Sequence, residues 1–340
     1  MSELVGVGVP AYRGVAYVAE ALRCLAEQTH RNLDVLISVD GGDEATAAAC
    51  QPFLKDSRFK LAVQPTQLGW AQNISWLMAH NEGEFWYYHQ QDDLVRADYV
   101  SVLLELARAN AQAAVVYSDI QCFGENLSYI TQAPVLGSAV TREIALLLDH
   151  HSAVAFRGLT RRNALQQTRG VRENEVENFS SDTVWMASAA RAGELLRVPR
   201  ALYRKRYHRD NVHTKWPLWP LEKRLKAWQV HCRDMFLEAS RADASTAERQ
   251  LIWGAAVARL VSPRTSSGYV PAATFDVSAR KVILEGFLRS FTPSDVTNTE
   301  QTLELSFDRL VDWSQVLLDL PRPTLLQHLG SLVRAKTLLL

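Results

Sequence analysis

An excess of either charge is the first thing missing from this 340-residue chain: Lys plus Arg and Asp plus Glu both number 37. With no net charge there is no strongly basic footprint of the kind that nucleic acid binding requires. Cysteine is scarce and scattered. The four residues Cys24, Cys50, Cys122 and Cys232 show no CxxC spacing, which speaks against a zinc knuckle or a disulfide framework and fits a reducing compartment. No window reaches the ~18 apolar residues of a membrane span. The opening MSELVGVGVP lacks the basic segment and long apolar core of a secretory leader. A cytoplasmic location is the expectation, with peripheral contact at the inner face of the membrane as a variant of it. Internal repeats and low-complexity tracts are also absent. What remains, 47% hydrophobic and 22% charged residues, describes a globular protein with a sizeable core, and the length favours about two domains.

The first ~100 residues alternate strand and helix signals, which predicts a parallel sheet with right-handed crossovers. Leu4 to Val9, Asp34 to Val39 and Phe59 to Val63 read as strands, as does the aromatic run that starts at Gly83; Val15 to Glu27 and Thr46 to Phe53 read as helices, and Gln67 to Asn73 leads into a further helix through Ala79. The aromatic run ending in His89-Gln90-Gln91-Asp92-Asp93 stops abruptly at two amides and two carboxylates. Ligands of open α/β sheets bind outside the carboxyl ends of the strands. Two acids there suit a hard divalent cation that takes phosphate oxygens as further ligands. Tyr12, Asp40 and Asp92, each at a strand end, then share one edge, which makes a nucleotide-sized site. Taken alone, the acidic stretch is equally an ordinary turn. Gly6-Val7-Gly8-Val9-Pro10-Ala11 matches GxGxxA, so a dinucleotide-binding dehydrogenase is a rival, weakened because the glycines lie inside the strand and Pro10 occupies the phosphate-binding turn.

Tyr99 to Asn110 reads as a helix and Ala113 to Asp119 as a strand, with Asp119 structural or directed at an acceptor. His150-His151 would point oppositely on a strand, so a loop or strand pair without metal is expected. Asp182 opens a helix, where a carboxylate caps orphan amides. Trp216-Pro217-Leu218-Trp219-Pro220 marks a boundary. Beyond it helical periodicity dominates, over Leu225 to Leu237, Ala247 to Leu260, Val277 to Phe291 and Leu303 to Leu318. A last segment, Leu325 to Leu340, reads as a packing helix, with a membrane surface or a partner helix as the alternative.

Several fragments, in order, resemble the family-2 glycosyltransferases: Pro10-Ala11-Tyr12-Arg13, Gln28-Thr29-His30-Arg31-Asn32-Leu33, Val39-Asp40-Gly41-Gly42-Asp43, and Gly69 with Asn73. Gln90-Gln91-Asp92-Asp93 stands where the family carries Asp-Gln-Asp-Asp. Arg197 to Asn211 is similar to its Ile-Pro-x-x-Leu-Tyr-x-Tyr-Arg-x-His-x-x-Asn run, and Leu159 to Arg162 to a strand walling the acceptor. The resemblance implies a GT-A fold, a Rossmann-like α/β domain with a mostly parallel sheet over residues 1–215; it does not extend to 216–340, which periodicity makes a mostly α-helical accessory region. It implies an inverting transfer of a sugar from a nucleotide-sugar donor to an acceptor hydroxyl, in surface polysaccharide or glycoconjugate synthesis. UDP-sugars are favoured over dTDP or GDP sugars, and a saccharide or lipid-linked acceptor is expected, with no nucleic acid.

Residue by residue, Pro10, Tyr12, Asp40, Gly69, Asn73, Gln90, Asp92 and Arg206 would form the nucleotide and donor site, Tyr12 contacting the base and Asp40 hydrogen-bonding it. Mg²⁺ or Mn²⁺ would be held by Asp92 with His208, Arg204 and Arg206 would neutralise phosphate charge, and Asp93 would lie behind the metal or on the acceptor side. Asp182 would be the catalytic base. Three departures stand out: Gln90 replaces an acid and binds a cation more weakly, Ser181 replaces a Glu, and Gly41 stands where a second Asp is common. A non-catalytic GT-A-like binding or assembly protein with a partly degraded metal site is therefore the alternative, with peripheral membrane contact or oligomerisation through the helical region.

Overall fold

The computed structural model describes residues 2–149, 153–209, 211, 214–266 and 268–319. His150-His151 and the segment Leu325 to Leu340 lie outside the described residues. Two compact units are formed. The first comprises Met1–Val135, Ser152–Glu173 and Ser181–Arg209; the second comprises Leu136–His151, Asn174–Ser180 and Asp210–Leu340. A single division at 215/216 was expected. Instead two short stretches, 136–151 and 174–180, group with the helical unit.

The first unit is built on one mixed sheet of nine strands among the described residues: β1 (Val5–Ala11), β2 (Leu33–Val39), β3 (Phe59–Val63), β4 (Phe85–Tyr88), β5 (Leu94–Val95), β6 (Ala113–Gly124), β7 (Tyr129–Ile130), β8 (Leu159–Arg161) and β9 (Glu194–Tyr207). Their order is β3-β2-β1-β4-β8-β6-β9-β5, with β7 beside β6. The pairs β2/β3, β1/β2, β1/β4 and β6/β9 are parallel, whereas β8 runs antiparallel to β4 and β6 and β5 runs antiparallel to β9. Helices α1 (Val18–Ala26), α2 (Glu44–Cys50), α3 (Trp70–His80), α4 (Tyr99–Ala109), α6 (Arg162–Thr168) and α7 (Ser181–Ala192) belong to this unit. In β1 and β2 every residue but the half-buried Pro10 is buried, as apolar strands of a parallel sheet covered on both faces must be.

The glycines of β1 serve close packing. A Cβ on Gly6 would come within 2.2 Å of the Glu82 carbonyl oxygen, and one on Gly8 within 2.8 Å of the Trp86 ring. They lie in the strand, not in a phosphate-binding turn, which removes the basis of the dehydrogenase reading. Register places Ala11 beside Val39 and Gly8 beside Tyr88, so β1, β2 and β4 end at one edge.

The second unit contains α5 (Ala139–Leu148), α8 (Leu221–Ala239), α9 (Thr246–Leu260), α10 (Val277–Arg289), α11 (Pro293–Leu303) and α12 (Phe307–Asp319). The buried Arg259 of α9 donates to the carbonyls of Leu146 (3.1 Å), Leu147 (3.3 Å) and Asp149 (3.2 Å), closing the end of α5. Trp253, Phe236, Phe287 and Phe291 form its aromatic centre. Where one helix was expected over Leu303 to Leu318, the chain breaks at Glu304, which is left-handed (φ 53°). Among the described residues no helix is long and apolar enough to cross a membrane.

Candidate active site

The β1 end is fixed by an amide. Gln91 accepts from the Tyr12 N–H (2.9 Å) and donates to the Tyr12 carbonyl (2.9 Å), which leaves the half-buried phenol of Tyr12 at the edge. Gly14 is the residue that lets this amide in, since a Cβ there would lie 2.0 Å from Gln91 Oε1. Asp43 holds the same turn from the other side. It caps α2 through Thr46 and accepts from the Arg13 N–H (2.6 Å). Burial works against its charge, yet these bonds from Thr46 and Arg13 keep its carboxyl below the ordinary value.

Asp40 follows β2 and is 3% exposed. Its two oxygens accept from the backbone N–H groups of Leu68 (2.7 Å) and Gly69 (2.9 Å), so the carboxylate pins the loop that starts α3. Gly69 takes a left-handed φ of 80° there, which glycine adopts without steric cost. Asn73, one turn on, is buried and donates to the Ser38 carbonyl (3.2 Å), tying α3 to β2. Pro10 is half-buried in β1 beside Ser38.

After β4 the chain is captured by β9. Pairing of Leu94 with Arg204 and Val95 with Tyr203 draws Asp92 and Asp93 against Tyr203, Arg206 and His208. The Asp92 carboxylate Oδ2 meets His208 Nε2 at 2.9 Å, both side chains retaining some exposure. Asp93, in contrast, is fully buried (0% exposed). It accepts from the Tyr203 hydroxyl (2.9 Å) and the Arg206 N–H (2.7 Å), and Arg157 Nε stands 3.8 Å away. Burial, reinforced by the neighbouring Asp92 charge, pushes its carboxyl up to about 7. The acceptor-side placement of Asp93 is thus corrected: no acceptor can touch it, and it fastens β9 beneath the site.

Gln90 is turned inward. With its amide oriented to match its neighbours, it donates to Asp93 Oδ2 (3.1 Å) and accepts from Tyr88 Oη (2.9 Å) and Arg157 Nη2 (3.2 Å). Arg206 is likewise engaged, donating from Nε to the Asp92 carbonyl (2.9 Å) and from Nη2 to Glu20 (2.5 Å), with Tyr17 and Phe123 flanking its guanidinium. Arg204 is exposed over the Phe123 ring. Asp182 is half-buried in the first turn of α7 and accepts from the Thr183 N–H (2.9 Å). Burial raises its carboxyl above the ordinary value against the pull of Arg157 and Lys205. Asp119, the other acid at a strand end, is buried in a two-pronged pair with Arg197 (2.7 and 2.8 Å), a structural placement.

Residues 6–169 match the sequence profile described as Glycosyl transferase family 2. Just under half of the chain, most of it within the sheet unit, thus carries the sequence of a family-2 glycosyltransferase. Among curated relatives, glycosyltransferase GlyG of Streptococcus pneumoniae is 25% identical over 135 residues, covering 38% of this chain and 45% of that protein. An uncharacterized glycosyltransferase of Haemophilus influenzae is 22% identical over 212 residues, covering 60% and 66%. The matches therefore span about half to two thirds of those relatives' lengths. Among solved structures, S. aureus TarS 1–349 in complex with UDP-GlcNAc superposes with a TM-score of 0.64 at 15% identity, over 96% of this chain and 92% of that one. Mannosyltransferase PcManGT of Pyrobaculum calidifontis, with GDP-Man and Mn²⁺, gives 0.53 at 14% identity, over 94% and 85%. At such identity these two establish the GT-A fold.

Several residues important to the site carried no signal in the sequence. Arg157 is buried, and Gln90, Asp93, Tyr88, Tyr203 and Asp182 all lie within its electrostatic reach. Tyr203 sits inside a run that invites a basic reading, and Gln91 lies between more conspicuous neighbours. Among the described residues no group of three or more His, Cys, Asp or Glu side chains gathers for a metal ion.

Proposed function

We propose that the protein is an inverting, nucleotide-sugar-dependent glycosyltransferase. The observation that carries the reading is the Asp92–His208 pair, residues 116 positions apart brought to 2.9 Å at the edge where β1, β2 and β4 end. The pair also fits a divalent cation. Two donors about 2.1 Å from a metal on adjacent octahedral positions are about 3 Å apart, and the remaining positions suit phosphate and water oxygens. Asp92 and His208 would hold Mg²⁺ or Mn²⁺, which supplies charge neutralisation for a departing diphosphate.

The chain's own groups perform the rest. Tyr12, steadied by Gln91, offers its ring to the base, and the loop pinned by Asp40 brings Gly69 and the start of α3 to the same edge. Asp182 accepts the proton of the acceptor hydroxyl as its oxygen bonds to the anomeric carbon. The bond to the diphosphate oxygen breaks in line, its electrons leave with the nucleoside diphosphate, and the configuration inverts. A carboxyl raised above its ordinary value is a better base near neutrality. UDP is the favoured nucleotide on the likeness to TarS, whose complex holds UDP-GlcNAc, and a saccharide or lipid-linked acceptor in polysaccharide or glycoconjugate synthesis follows from the same reading. The anomeric configuration of donor and product, followed by NMR in wild type and Asp182→Asn, tests the mechanism. Inversion with turnover lost in the variant is expected; retention of configuration, or full activity without Asp182, contradicts it.

A further inference from the structure

The end of β9 brings four basic residues close together, Arg204, Lys205 and Arg206 in the strand and His208 just past it, and three of them are accounted for. Arg204 lies over Phe123 at the surface, Arg206 is committed to the Asp92 carbonyl and Glu20, and His208 faces Asp92. Lys205 differs from them. Successive side chains of a strand point to opposite faces, so Lys205 shares its face with Tyr203 and Tyr207, not with its two arginine neighbours. Its ammonium stands 4.8 Å over the Tyr207 ring. Among the described residues it makes no hydrogen bond or ion pair, yet its side chain is half-buried and the charges of Asp182, Asp93 and Arg157 act on it.

A half-buried ammonium without an ion pair is costly, because burial removes water that nothing replaces. Asp93 does not relieve it, since its oxygens already serve Tyr203, Arg206 and Gln90. Arg157, buried and 5.9 Å over the Tyr203 ring on the same face, adds like charge. Burial together with this repulsion lowers the lysine to about 8, so at neutral pH the ammonium is still mostly charged. Two cations thus act on Asp182, and one of them, Lys205, has its hydrogen-bond donors free among the described residues.

We infer that Lys205 forms an oxyanion subsite beside the catalytic base, which binds a phosphate or carboxylate group carried by the acceptor. This rests on the proposed transferase reading, and it names the acceptor class: a saccharide or polyol that bears a negative charge near the attacking hydroxyl. The diphosphate of the donor is assigned instead to the Asp92–His208 pair, just past the end of β9. An ammonium is a compact point charge with three rotatable donors, suited to phosphate and carboxylate alike. A charged acceptor would also restore the local balance that Arg157 and Lys205 disturb.

Calorimetric titration of glucose 6-phosphate, glucuronate and neutral glucose into wild type, Lys205→Met and Lys205→Arg, each with and without saturating UDP and Mn²⁺, tests this. Expected are binding of at least one charged sugar to wild type with UDP present, at least a tenfold loss in Lys205→Met, recovery in Lys205→Arg, and no comparable effect on glucose. The phosphate and carboxylate arms tell the two oxyanions apart. Equal binding to wild type and Lys205→Met, or no binding of either charged sugar, overturns the subsite. Displacement of the charged sugars by UDP with Mn²⁺ overturns it too, since the lysine would then serve the donor diphosphate. Failure of UDP to bind wild type would sink the transferase reading instead, and the nucleotide-free titrations would still decide the lysine's part. UDP binding in Lys205→Met shows that the variant is folded.

Discussion

At the scale of single residues, the chemistry depends on where carboxylates are left ionised. Asp182 must be deprotonated to act as a base, and burial holds its carboxyl above the ordinary range. The rate therefore rises with pH on an acid limb centred above a normal aspartate's pKa of about 4, and Asp182→Asn removes that limb together with about 10²–10⁴-fold in kcat. A pH–rate profile of both forms checks this. His89 gives a second, opposite case that concerns stability. It is fully buried, and burial pushes its imidazole down to about 3. Below about pH 6.5 the unfolded chain binds a proton that the native state refuses, so stability is lost on acidification from about 6.5 towards 3. The loss is of the order of a few kcal/mol. Urea midpoints between pH 7.5 and 4.5 should fall in wild type and fall less in His89→Gln; equal slopes would show that His89 is not the group responsible.

Some of this was legible in the residues and some was not. Asp92 stands out as an acid at the end of an apolar run, Asp182 and His208 stand out through the family resemblance, and the structure brings Asp92 and His208 together. Asp93 reads as Asp92's equal, yet strand alternation and the β5–β9 pairing bury it completely. Arg157, Tyr203 and Lys205 acquire meaning from partners distant in sequence, such as Asp93, 110 positions from Tyr203, which no local pattern reports.

At the scale of elements, the loop between β3 and α3 depends on one carboxylate. Asp40→Ala leaves the Leu68 and Gly69 amides without their acceptor, at about 1–3 kcal/mol for each buried group left unpaired. Both thermal stability and UDP affinity should fall, while Asp40→Asn, which keeps one acceptor oxygen, should lose less. An Asp40→Ala protein as stable as wild type would show that the loop is held by other means. Strand identities at the start of the first unit follow the apolar pattern closely, because β1, β2 and β4 are buried along almost their whole length. The break between α11 and α12 escaped notice for a physical reason. Leu303, Leu310 and Leu317 keep a seven-residue spacing across a left-handed Glu304, so the apolar repeat continues where the backbone does not.

At the scale of the whole molecule, the chain leaves the sheet unit twice before Arg209 to contribute to the helical one. Neither excursion shifts the composition, and 136–151 finds its place only through contacts such as Arg259 with the end of α5. A boundary at the Trp-Pro run was the visible signal. The parallel sheet is visible in the alternation of the first hundred residues and the GT-A architecture in the family resemblance, whereas the accessory helices carry no sequence mark of their task. A ligand that binds only the folded chain stabilises it by mass action, about 2.7 kcal/mol at a hundred times its Kd, so nucleotide binding is readable both as heat and as a raised melting temperature.

The most direct measurement is calorimetric titration of UDP, with and without Mn²⁺, into wild type and Asp92→Ala. Binding that Mn²⁺ strengthens in wild type, and that Asp92→Ala abolishes or renders indifferent to Mn²⁺, is the expected result. Binding of UDP by both proteins with no effect of Mn²⁺ would contradict the role given to Asp92 and His208, and no binding of UDP, dTDP or GDP at all would contradict the nucleotide-sugar transferase itself.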